Sequence, residues 1–194
     1  MKTLLLAAAL GAATFSAQTV LAIPQAASSP QPSSAAKPDP NLEGIWEGYD
    51  GELGHVSRQL IELAQAFPEE KYTWRPAKGV RSVSEVFMHI AIANFYLISV
   101  TGPAMPPDTT ADGLEESVKS KAQVINYLKR SLEAVKTARA HLKPGDLERK
   151  VNIQGKTVTV DGMYLRIIVH NNEHMGQLVA YARMNGIVPP WSKP

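Results

Sequence analysis

His170 and His174 are the two residues whose type and spacing point most directly to chemistry. On a helix, residues four apart share a face, with Cβ atoms roughly 6 Å apart, so both imidazoles can reach one metal ion. His89, on the inward stripe of a separate helical segment, offers a third nitrogen. Three imidazoles can hold a divalent ion and leave a position open for water or substrate. Histidines at this spacing also occur as hydrogen-bonded core residues, since an unpaired imidazole in a core is costly.

The remaining candidates read differently. His55 falls in line with Glu52, Gln59 and Glu62, a polar row, and is expected on a solvated face. His141 closes a helix, where positive charge favours the dipole. The string His170-Asn171-Asn172-Glu173-His174 matches the inverted H-x-x-E-H zinc-protease form, in which Glu173 would be the general base. Glu173 lies about one position off the inward stripe, so an exposed carboxylate is the default. Gln177 follows His174 by three residues on the same face; it fits a hydrogen bond to a water on the ion, and equally a plain core amide. The chain has no cysteine, which removes disulfides, thiol nucleophiles, a lipoprotein anchor and cysteine-based zinc sites.

Four helical segments must position these groups. In the first, within Leu42 to Phe67, Leu53, Val56, Leu60, Leu63 and Phe67 recur at spacings of three and four, and Pro68 ends it. The second opens at Ser82 with Glu85 three residues on, a capping box, and carries the stripe Val86, His89, Ala93, Leu97 and Val100. The third is expected from Asp112 to Pro144, with the stripe Val118, Ala122, Ile125, Leu128, Leu132, Val135 and Leu142. Alternation over Val151 to Gln154 and Thr157 to Val160, around Gly155-Lys156, predicts a short hairpin. The fourth helix starts near Asp161 and stops at Gly186, with the stripe Met163, Ile167, His170, His174, Gln177, Tyr181 and Met184. Four amphipathic helices with one apolar stripe each predict an all-α four-helix bundle with a short β-hairpin before the last helix.

The amino-terminal stretch is expected to be a signal peptide over residues 1–22. Lys2 is its positive region, Leu4 to Ala13 its apolar run, and Val20-Leu21-Ala22 its cleavage site. A linker rich in proline, serine and alanine follows over 23–40, and the folded domain is expected over 41–194. The protein is therefore expected to be exported, periplasmic or secreted, with no membrane contact after cleavage. No later apolar run reaches the ~18 residues of a membrane span. Net charge is +2, with no basic cluster, which gives no electrostatic footprint for nucleic acid. Expected partners are a small-molecule substrate or ligand, with a homodimer left open.

Two stretches carry a resemblance. Arg81 to Asn94 (R-S-V-S-E-V-F-M-H-I-A-I-A-N) and His170 to Pro190 (H-N-N-E-H-M-G-Q-L-V-A-Y-A-R-M-N-G-I-V-P-P), preceded by Trp74-Arg75-Pro76, resemble the DinB/YfiT-like superfamily. The resemblance runs from about Leu42 to the carboxyl terminus. It implies a four-helix bundle holding one divalent metal ion, zinc or nickel, through His89, His170 and His174. It also implies a range of activities, from thiol-dependent transferases and isomerases to metal-dependent hydrolases. An export signal departs from cytosolic members and argues against chemistry that needs a cytosolic thiol. A non-enzymatic metal- or ligand-binding bundle is the alternative expectation.

Overall fold

The computed structural model describes residues 47–192. The leader expected over 1–22, the linker over 23–40 and the following residues to 46 lie outside them.

Helix α1 spans Gly48–Ala66 and buries Leu53, Val56, Leu60, Leu63 and Ala64, the expected stripe. It stops where Phe67 turns extended ahead of Pro68, as the residue before a proline is pushed out of the helical region. The Trp74-Arg75-Pro76 segment then caps the next helix. Trp74 and Tyr72 carbonyls accept from the amides of Val83 and Ser84 at 3.0 and 2.8 Å, partnering donors that a first helical turn leaves unmatched.

Helix α2 spans Val83–Ser99 with Ser82 as its N-cap and a complete capping box through Glu85. The single inward stripe expected for it is corrected. Phe87, Ile90, Ala91, Asn94 and Ile98 are buried as well, while Ala93 and Val100 are only half-buried. The cause is position: α2 packs against both α4 and α5 and takes α3 on a further side. A helix apolar nearly all round is a buried helix.

The third expected helix is two. Helix α3 is a single turn, Leu114–Ser117, introduced by Gly113 in the left-handed region. Val118 then goes extended, at ψ 104°. Helix α4 begins afresh at Lys121 and runs to Ala140, burying Val124, Leu128, Ser131, Leu132 and Val135. Ala122, expected inward, is exposed. The Lys121 ammonium donates to the Gln65 and Phe67 carbonyls at 2.8 and 2.7 Å, a cation on the carboxyl end of α1 where the helix dipole favours it.

Strands β1 (Lys150–Ile153) and β2 (Lys156–Thr159) form the antiparallel hairpin, with Ile153 opposite Lys156. Its two turn residues are Gln154 and Gly155, one position earlier than expected, at φ 50° and 77°. Two successive positive φ values are what a type I′ turn demands. Thr159 caps α5 through its side chain, and α5 runs Val160–Met184. Met184, expected inward, is exposed, since it lies in the last turn beside Gly186.

Helices α4 and α5 each pack against both α1 and α2, so α1 and α2 form one diagonal of a four-helix bundle. Its core is a continuous cluster including Leu60, Phe87, Ile90, Leu128, Tyr164 and Ile167. Burying each such side chain contributes roughly 1.5–3 kcal/mol. The helices that carry the histidines pack through this apolar core. No helix among the described residues is long and apolar enough to cross a membrane.

Candidate metal centre

Helix α2 carries His89 two turns below its capping box, and α5 carries His170 and His174 one turn apart. Because these helices pack side by side, the three rings meet. Their centroids stand 5.0, 4.7 and 4.5 Å apart. One ligand-capable nitrogen from each lies within 4.8 Å of the other two. His89 Nε2 and His170 Nε2 are 3.2 Å apart. Two nitrogens bound to one tetrahedral zinc stand about 3.3 Å apart.

The outer nitrogens reveal which inner ones carry lone pairs. His89 Nδ1 lies 3.0 Å from Glu115 Oε2. A carboxylate only accepts, so Nδ1 carries a proton, and in the neutral ring Nε2 is then the bare nitrogen. On the other side, Gln177 Nε2 donates to the Tyr181 hydroxyl at 2.8 Å, and that hydroxyl donates to the Arg81 carbonyl at 3.2 Å. Gln177 Oε1 is thereby turned toward His174 Nδ1 at 3.0 Å and must accept from it. This orientation follows from the direction of the chain of bonds. In the neutral ring of His174 the bare nitrogen is then Nε2. His170 is buried, and its Nδ1 meets no partner. Two bare nitrogens beside a third buried imidazole lacking a complete set of partners are a donor set that fits a divalent cation.

Electrostatics agree with neutral rings. Burial lowers His170 from its ordinary 6.5 to about 4, helped by the neighbouring His174 and His89. His89 is lowered as well, first by burial and then by the nearby Arg81 guanidinium, against the opposing pull of Glu115. Imidazoles that resist protonation stay available as ligands.

The other candidates stand elsewhere. His55 is half-buried on α1, 3.2 Å from an Arg58 Nη, outside the three-histidine cluster. His141 caps the carboxyl end of α4, its Nδ1 2.7 Å from the Thr137 carbonyl. Glu173 is exposed and paired with Arg166 at 2.9 Å, which points it away from a general-base role. Gln177 bonds His174 rather than standing free for a water.

Glu115 and Arg81 are the residues that sequence reasoning missed. Arg81 Nε donates to Glu115 Oε1 at 2.5 Å, and Glu115 is separated from His89 by 26 positions, with no local pattern linking them. A polar cleft of about 820 Å³ adjoins the site, its wall containing Arg75, Arg81, Glu115, Lys119 and Gln177. That cleft reaches the histidines through Glu115 and Gln177, which bond His89 and His174, and not through the rings themselves. A second, more apolar cavity of about 720 Å³ is walled by Phe95, Ile98, Ala134 and Tyr164 among others and includes neither the histidines nor these partners.

Comparison with known proteins bears on the fold and the family. A crystal structure of a DinB-like protein from Bacillus cereus ATCC 10987 superposes with a TM-score of 0.66 at 20% identity, covering 74% of this chain and 95% of that one. A DinB-like protein from Bacillus subtilis gives 0.57 at 19% identity, covering 71% and 91%. At those identities the likeness concerns the fold alone. Among curated proteins, none matches. The family model described as the DinB superfamily matches residues 52–178, from the first helix through both histidines of the last. On that match the chain belongs to the DinB superfamily.

Proposed function

We propose that the protein binds one divalent metal ion, zinc or nickel, through His89, His170 and His174, and acts as a metal-dependent hydrolase or transferase on a small polar molecule. The observation that carries this reading is the convergence of three imidazoles with the Nε2 atoms of His89 and His174 left bare by their outer partners. A divalent ion held there would supply Lewis-acid chemistry, polarising a substrate oxygen or acidifying water.

Two features favour catalysis over a purely structural ion. Among the described residues the cluster offers three candidate ligands, and structural zinc sites close their shell with four. The adjoining cleft is large enough for a small molecule, and its wall presents polar groups that can orient one. Arg81 is tied to Glu115 through Nε, so its two terminal nitrogens remain for substrate.

One observation favours the alternative, an exported protein that captures a metal or ligand without turning it over. Glu115, the carboxylate bonded to the site, is already committed to His89 and Arg81. It is not free to take a proton from a substrate. A substrate screen of the metal-loaded protein separates the two readings. Turnover lost on chelation and restored by metal supports the enzyme; a bound ion with no turnover of hydrolase or transferase substrates supports capture.

Export belongs to the same proposal. Its basis is Lys2, the apolar run Leu4 to Ala13 and Val20-Leu21-Ala22. Mass spectrometry of the extracytoplasmic protein is expected to find an amino terminus at Ile23 or a few residues beyond. An intact Met1 confined to the cytosol contradicts it.

A further inference from the structure

We propose that Glu115 is the positioning residue of the metal centre, and that α3 serves to deliver its carboxylate to His89. The inference rests on the three-histidine reading above and concerns how this chain holds the site.

The geometry is specific. Glu115 uses both carboxylate oxygens: Oε2 lies 3.0 Å from His89 Nδ1, and Oε1 accepts from Arg81 Nε at 2.5 Å. Its side chain is 18% exposed and that of His89 26%, so the pair is largely removed from water. A carboxylate behind an imidazole fixes the tautomer and ring orientation and makes the facing nitrogen a better donor to a cation. A rotated His89 would present Nδ1 and its proton to the centre instead.

The fold around Glu115 serves this contact. Helix α3 is one turn long, begins at a left-handed Gly113 and ends where Val118 goes extended. It packs against α2. Had the chain continued from α3 into α4 as one helix, Glu115 would be an ordinary acid on that helix. The break lets the turn lie across α2 at the level of His89. Arg81, immediately before the N-cap Ser82, joins the two sides of the site. Its side chain holds Glu115 and its carbonyl accepts from Tyr181, which in turn holds Gln177 and His174. Two ligands on different helices are thus oriented through one residue.

The test is cobalt(II) binding to the full chain, followed by the visible absorption of the bound ion, with Glu115→Ala, Glu115→Gln and the neighbouring Glu116→Gln compared with wild type. Glu116 is exposed on the same turn. Glu115→Ala is expected to lower affinity roughly 10- to 100-fold and shift the cobalt spectrum. Glu115→Gln should recover part of the loss, because its amide oxygen still accepts from Nδ1–H. Glu116→Gln should match wild type. All three should melt as wild type does in chelator, which separates positioning from folding. Affinity and spectrum unchanged in Glu115→Ala would overturn the inference and leave the three-histidine reading standing. Glu115→Gln no better than Glu115→Ala would also overturn it. Wild-type protein that takes up no cobalt would overturn both.

Discussion

At the scale of single residues, the site is built from groups that would be costly without one another. His170 is buried on α5 with an unpartnered Nδ1, and its pKa is held down to about 4 by burial and by the two neighbouring imidazoles. The folded-state value is the lower one, so as pH falls the unfolded chain takes the proton first. In metal-free protein this group therefore leaves stability level above about pH 6.5 and lowers it progressively toward pH 4, by roughly 3 kcal/mol in all. His89, also lowered, adds loss of the same sign. Denaturation in chelator across this range, on wild type and His170→Leu, measures the term. The variant should lose less stability on acidification; equal slopes would mean that His170 does not titrate as its burial requires. The pair His170 and His174 was legible from a spacing of four. The contact of Glu115 with His89 was not, because it joins residues far apart in sequence.

At the scale of elements, local signals were read well and non-local ones were not. The capping box at Ser82 and Glu85 forms as its spacing implies. The hairpin also forms, with its turn one position earlier than expected, and the glycine after the last helix stands where the short-range pattern places it. The two failures have one cause. Val118 kept the apolar period running, so α3 and α4 read as one helix, yet Val118 is extended. The single stripe assigned to α2 missed its central place among the other helices. Periodicity reports which residues are apolar; neighbours decide which faces are covered. The capping box gives a prediction at this scale. Ser82→Ala removes the side-chain acceptor for the Glu85 amide and should cost about 1 kcal/mol, or roughly 2–4 °C in melting temperature. No change would mean that the Trp74 and Tyr72 carbonyls hold the first turn alone.

At the scale of the whole molecule, the apolar core is built from side chains other than the three histidines. The buried cluster extends through all four long helices, and the three histidines form a separate group on two of them. Chelated protein should therefore keep its helical circular dichroism while melting lower, because an ion bound only by the native state adds stability by mass action. At metal a hundredfold above Kd the gain is about 2.7 kcal/mol, or roughly 5–10 °C for a domain of this size. Unfolding on chelation would mean that the core is insufficient by itself. The bundle was legible as four amphipathic stretches; the matching family model and the superposed DinB-like structures agree with it.

The central claim is that His89, His170 and His174 form one metal site from which His55 is excluded. Elemental analysis of purified His89→Ala, His170→Ala, His174→Ala and His55→Ala tests it most directly. Each of the first three removes one of the three proposed ligands, so metal content should fall far below one ion per chain after dialysis. His55→Ala, altering a residue on α1 outside the cluster, should retain the wild-type content. Near-stoichiometric metal in both His170→Ala and His174→Ala would contradict the three-histidine site, and the proposed chemistry with it.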